Sequence, residues 1–105
     1  MPEMTFSVRW PDGRLEECYS PSLVVHDHLE PGTTYTVAEF TRRSTTALQI
    51  ASDRVREKFG WACTSAAATQ EQIAGSASSY APDELVEVVR LWPPLPARTP
   101  TQETS

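Results

Sequence analysis

The chain has 105 residues, enough for one domain of common size, and its 39% hydrophobic content supports one modest core. A net charge of −5 and a pI near 4.9 argue against nonspecific nucleic-acid binding, which needs basic charge to neutralise phosphates. No apolar run approaches the roughly 20 residues of a membrane helix, and Pro2 and Glu3 do not open a signal peptide; a cytoplasmic protein with neither nucleic-acid nor membrane partners is expected.

Residues 4–20 read as a β-hairpin. Met4, Phe6, Val8 and Trp10 alternate with Thr5, Ser7 and Arg9, the period of a half-buried strand. Pro11-Asp12-Gly13 supplies Pro for the first turn position and Gly for positive φ, which suits a three-residue loop. That loop pairs Trp10 with Arg14, Val8 with Glu16 and Phe6 with Cys18. A two-residue Asp-Gly loop would gather more apolar residues on one face, but it needs an N–H that Pro11 lacks. In the chosen register Cys18 lies on the core face, and Leu15 and Tyr19 point the other way, toward some further cover. Across 20–34 the pattern is weaker: Ser20-Pro21 resembles a cap and first helical residue, so a short helix or turn is expected up to Leu29.

The strongest signal is a helix over 37–59. Thr36 and Glu39 have the spacing of a capping box, Tyr35 and Phe40 that of a hydrophobic staple. Val37, Phe40, Ser44, Ala47, Leu48, Ala51, Val55 and Phe59 then recur every three or four residues, and Gly60 stands ready as a left-handed stop. A second, alanine-rich helix is expected over 64–80, capped by Thr64 or Ser65, with Ala66, Ile73, Ala77 and Tyr80 on one face and Pro82 closing it. Gly75 costs it up to about 1 kcal/mol relative to Ala, so this helix depends on packing. Residues 84–92 form a third strand whose Leu, Val and Trp content suits mid-sheet or a strand covered on both sides. The expected architecture is α+β: a small three-stranded sheet, the N-terminal hairpin plus the C-terminal strand, packed on two antiparallel helices in the order ββααβ. Residues 1–92 make this single domain, and 93–105 a Pro/Thr-rich unstructured tail.

Little in this chain names a reaction. Cys18, His26, His28 and Cys63 are its soft or imidazole ligands, and only His26 and His28 are close in sequence, so no metal site is expected. Cys63 precedes the second helix, whose dipole would lower its pKa; a thiol-reactive or small-molecule-binding module would use it, perhaps together with Cys18. The plainer reading makes both thiols small packing residues, with Cys63 under Trp61. No nucleophile elbow, dinucleotide fingerprint or P-loop occurs, so no cofactor is expected. The carboxylate pairs Glu16-Glu17 and Asp83-Glu84 read as solvated charge. On the long helix Arg43, Ile50 and Arg54 fall within about 40° of one another at ~100° per residue. Two cations around an aliphatic residue suit a partner or small-anion contact; alternatively Ile50 widens the core face and the arginines snorkel beside it. Pro93-Pro94-Leu95-Pro96-Ala97-Arg98 matches a polyproline ligand, a pattern common by chance in Pro-rich termini.

Taken in order, Arg9-Trp10-Pro11-Asp12-Gly13, Cys18-Tyr19-Ser20-Pro21-Ser22, Ala47-Leu48-Gln49-Ile50-Ala51-Ser52-Asp53-Arg54-Val55 and Gly60-Trp61-Ala62-Cys63 resemble a family of small bacterial nitrogen-starvation response proteins. The likeness covers about residues 1–92. It implies a genomic setting with a nitrilase, a radical S-adenosylmethionine protein, an acetyltransferase and a flavin-dependent oxidoreductase, and it carries no assigned catalytic residue. The function expected is therefore a non-enzymatic accessory or interaction protein whose partners are enzymes of a nitrilase-type cluster, with Arg43, Ile50 and Arg54 in the contact. The alternatives are the thiol or small-molecule module and a self-assembling protein, in which a second copy covers the Leu15/Tyr19 face.

Overall fold

The computed structural model describes residues 3–60 and 64–93. Its first strands, β1 (Met4–Arg9) and β2 (Leu15–Ser20), form the expected hairpin. Phe6 faces Cys18 and Val8 faces Glu16, and the Trp10 amide donates to the Arg14 carbonyl at 2.9 Å. Turn chemistry therefore outranks the alternative register. Gly13 holds φ at 91°, and Asp12 Oδ1 accepts from the Arg14 amide at 3.0 Å, closing the loop.

A 3₁₀ turn, Leu23–Asp27, follows. Its cap is Ser22 rather than Ser20: Ser22 Oγ accepts from the Val24 amide, while Ser20 Oγ donates to the Ser22 carbonyl at 2.7 Å. Both serines are buried, and Val24, Val25 and Leu29 enter the core.

The sheet has four strands, not three. Thr34–Thr36 is a short strand, β3, and pairs antiparallel with β4 (Leu85–Trp92), which in turn pairs with β1. The lateral order is β2-β1-β4-β3. Tyr35 and its threonine neighbours carry high strand propensity, and they pair with the edge of β4 that β1 leaves open. With β3 added, β4 lies in mid-sheet, one of the two positions that the composition of residues 84–92 suits. β4 is nevertheless covered on one side only: Val86, Val88 and Leu91 are buried, whereas Leu85, Val89 and Trp92 are exposed. Val89 is the extra residue of a bulge, since Ser7 pairs with Arg90 and Val8 with Val88.

β3 runs straight into α1 (Val37–Phe59), capped by Thr36, whose side chain accepts from the Glu39 amide at 3.1 Å. The capping box is only half made, because the Glu39 carboxylate turns to Arg42 and Arg43. The Val37 and Ala38 amides instead donate to the Glu84 and Pro82 carbonyls at 2.8 and 3.1 Å. At the far end Gly60, with φ at 82°, donates its amide to the Arg56 carbonyl and stops the helix. The stripe from Val37 to Val55 lies in the core; burying Phe40 or Leu48 contributes roughly 1.5–3 kcal/mol each. α2 (Thr64–Ala77) ends before Tyr80: Ser79 and Tyr80 switch to bonds with residues three back, which tightens the exit. Gln70 reaches the Thr45 carbonyl and Pro82 meets Ala38, so the helices run antiparallel. Both helices cover one face of the sheet, and the core between them is built on Phe6, Trp10, Phe40, Leu48 and Ile73.

Candidate functional site

The densest polar arrangement lies where β2 meets α2. Trp10 is 1% exposed, stacked on Tyr80 at 5.4 Å and edge-on to Phe40 at 5.6 Å. Its indole N–H must therefore find an acceptor inside the protein, and Glu16 Oε1 provides one at 2.8 Å. The same oxygen accepts from Ser76 Oγ at 2.7 Å and lies 3.3 Å from the Arg14 guanidinium; Oε2 accepts from Gln72 Nε2 at 2.6 Å. With 12% of its side chain exposed, Glu16 is not the solvated charge that the sequence suggested. Alternation places it on the helix side, whereas Glu17 faces outward. Burial pushes its carboxyl up, but the bonds from Ser76, Gln72 and Trp10, aided by Arg14, outweigh this and hold it below the ordinary value. A carboxylate so fully engaged is a poor proton acceptor; it pins α2 to the hairpin.

Gln72 also donates to the Glu17 carbonyl at 3.1 Å and approaches Cys18 Sγ at 3.9 Å. Cys18 is buried against Phe6, and burial, reinforced by Glu16 and Glu17, pushes its thiol up to about 12. Cys18 is thus protonated at neutral pH and packs as a small apolar group. Cys63 lies outside the described residues, as do Trp61 and the polyproline pattern beyond Pro93.

Arg43, Ile50 and Arg54 lie along the seam between α1 and the 3₁₀ segment. Arg43 donates to Glu39 at 2.6 Å and to the His28 carbonyl at 3.1 Å, and its guanidinium stands 5.1 Å over the Tyr35 ring. Arg54 reaches Ser22 Oγ at 3.4 Å, and Ile50 is half-buried against the core. The two arginines therefore bracket the 3₁₀ segment at its beginning and its end, while Arg54 stays exposed. Beside Arg43 an open hollow of about 470 Å³ is lined by His26, Asp27, His28, Glu30 and Tyr35 among others. The His26 ring lies 2.9 Å from the Pro93 carbonyl. Among the described residues no three His, Cys, Asp or Glu side chains gather as a metal cluster, and no helix is long and apolar enough to cross a membrane.

Helical geometry set Arg43, Ile50 and Arg54 on one line of α1, and the structure lays them along one seam. Sequence reasoning missed the Glu16 assembly, although the hairpin register already put Glu16 on the same face as Val8 and Trp10. That register was the available signal, because a carboxylate on a core face demands donors.

These features define a small α+β protein whose most buried carboxylate and described cysteine serve packing and whose distinctive groups lie at the surface. The family of nitrogen starvation-induced protein NitG matches residues 5–91, and the chain belongs to that family. Membership makes it a small protein related to nitrogen starvation. No curated protein and no solved structure matches the chain.

Proposed function

We propose that this protein acts in the nitrogen-starvation response as a non-enzymatic accessory component that docks on enzymes of a nitrilase-type gene cluster. The supporting observation is the engagement of the two buried groups that could carry chemistry, Glu16 and Cys18. Glu16 is saturated by Trp10, Ser76, Gln72 and Arg14, and Cys18 is held protonated, so both stabilise the fold. The contact on α1 includes Arg43, Ile50 and Arg54. Arg54 presents an exposed guanidinium next to the half-buried Ile50, a cation beside aliphatic surface that suits an acidic, partly apolar patch on a partner.

The test is pairwise binding of the purified chain to the nitrilase, radical S-adenosylmethionine protein, acetyltransferase and flavin-dependent oxidoreductase of such a cluster. At least one is expected to bind, and Arg54→Glu is expected to weaken that binding about tenfold or more while the circular dichroism spectrum stays unchanged. Absence of binding to all four by the folded chain refutes the proposal.

A further inference from the structure

The exposed large apolar side chains among the described residues, Leu15, Leu85, Val89 and Trp92, all belong to β2 or β4. Strand alternation turns them to the face that the helices leave open, since Cys18, Val86 and Val88 face inward. The register sets that face in rows. Tyr19, Thr5 and Trp92 lie side by side across β2, β1 and β4, and two residues along Glu17, Ser7 and Arg90 do the same. Ser7, Glu17, Val89 and Arg90 share one shallow trough with Leu15.

We propose that this open face binds a second copy of the chain about a two-fold axis lying in the interface along β1. Such an axis superposes β2 of one copy on β4 of the other. Tyr19 then meets Trp92 of the second copy, Glu17 meets its Arg90, and Ser7 meets its own equivalent. The outer positions of these two rows are complementary, once by aromatic contact and once by opposite charge, and the symmetry makes each contact twice. The next row, Leu15, Arg9 and Glu87, sets Leu15 against the second copy's Glu87 and is not complementary in this way, but Glu87 stays paired with its own Arg9 at 3.3 Å, so Arg9 does not face its equivalent as a bare cation. Arg9 and Arg90 thus balance Glu17 and Glu87 on a chain whose net charge is −5, and a charge-balanced face suits a copy of itself.

The arrangement favours stacking by faces over pairing by edges. The Trp10–Arg14 bond fixes which residues of β2 point their backbone toward β1, so the Glu17 carbonyl points away, and Gln72 already occupies it. Under this axis three strands overlap, since β3 lies beyond β4 and has no counterpart outside β2; at about 4.8 Å apart and six residues of ~3.3 Å they give a face of roughly 280 Å² in plan on each copy. With side-chain relief, two such faces stay below the ~1,200 Å² of standard interfaces, the size class of weak, reversible association, and a dissociation constant on the order of 10–100 µM is expected.

Sedimentation velocity of the full chain over about 1–300 µM tests this, since the range spans the expected constant. The expected result is a reversible monomer–dimer transition. Trp92→Ser abolishes it within that range, and Glu17→Arg or Arg90→Glu alone weakens it about three- to tenfold. The double variant E17R/R90E recovers parental association within about twofold, because the pair is only exchanged. Independently of variant stability, Ser7→Cys is expected to cross-link to its equivalent through a bis-maleimide spanning the ~10 Å between stacked sheets. A chain monomeric throughout, an association indifferent to Trp92→Ser, a double variant no better than the singles, or no gain in cross-linking from Ser7→Cys overturns the proposal. None of these outcomes touches binding through Arg54, so the two readings fail separately.

Discussion

Replacing Glu16 with alanine withdraws one acceptor from Trp10, Ser76, Gln72 and Arg14 at once. Ser76 and Gln72 lie near the surface and recover water, so their loss costs little, and the Arg14 pair is worth at most about 1 kcal/mol. The Trp10 indole is different. At 1% exposure its N–H is stranded in the core, at a cost of about 1–3 kcal/mol. The sum is roughly 1–4 kcal/mol, a sizeable share of the ~5–15 kcal/mol that holds a domain of this size. Urea unfolding followed by tryptophan fluorescence should show the midpoint falling by about 1–2 M with little change in slope. Glu16→Gln, which keeps an oxygen for Trp10, is expected to lose less than half as much. The difference between parent and Glu16→Gln also depends on pH. The folded-state pKa of Glu16 is depressed below the ordinary 4.5, so its contribution is complete above about pH 4.5 and is lost as pH falls through the lower folded value. The two proteins should therefore converge in acid. A Glu16→Ala protein within about 0.5 kcal/mol of the parent, or a gap that widens in acid, refutes the account of this carboxylate.

Cys18 should resist thiol reagents in the native protein and label only on unfolding; fast native labelling of this residue, mapped by mass spectrometry, contradicts its burial and raised pKa. Thr36→Ala is expected to cost only about 0.5–1 kcal/mol in urea unfolding, the low end for a cap, because the Val37 and Ala38 amides keep their carbonyl partners at Glu84 and Pro82. Gly60→Ala, which meets no neighbour but must hold φ at 82°, should cost about 1 kcal/mol by the same measurement.

Much of the scaffold could be read from local chemistry. Pro11 alone settled the hairpin register, since an amide it lacks excluded the shorter loop. Thr36 and Gly60 fixed both ends of α1 because each satisfies a definite orphan group. β3 was missed because Tyr35 and Thr36 also fit a helix cap and staple, and a strand of three residues has too few alternations to show a period. The bulge at Val89 escaped for a related reason: it exists only relative to β1, and a run of Leu and Val carries no mark of which residue is spare. The role of Glu16 depends on Gln72 and Ser76, more than fifty positions away, and no local pattern records such a meeting. The Arg43–Arg54 seam was half legible. Helical geometry put the side chains on one line, but the 3₁₀ segment they bracket came only with the tertiary fold.

The passage from Thr36 in β3 to Val37 in α1 contains no intervening residue. One residue inserted there would swing the helix by about 100°, carrying Phe40 and Leu48 off the sheet while the edge strand stayed in place. Chain length at this joint is accordingly fixed by geometry, whatever residues occupy it. Gly32 and Thr33 are tied to Val88 by backbone bonds of 2.7 and 2.9 Å, so the place that can absorb an insertion lies just before them, at the exposed Glu30 and Pro31.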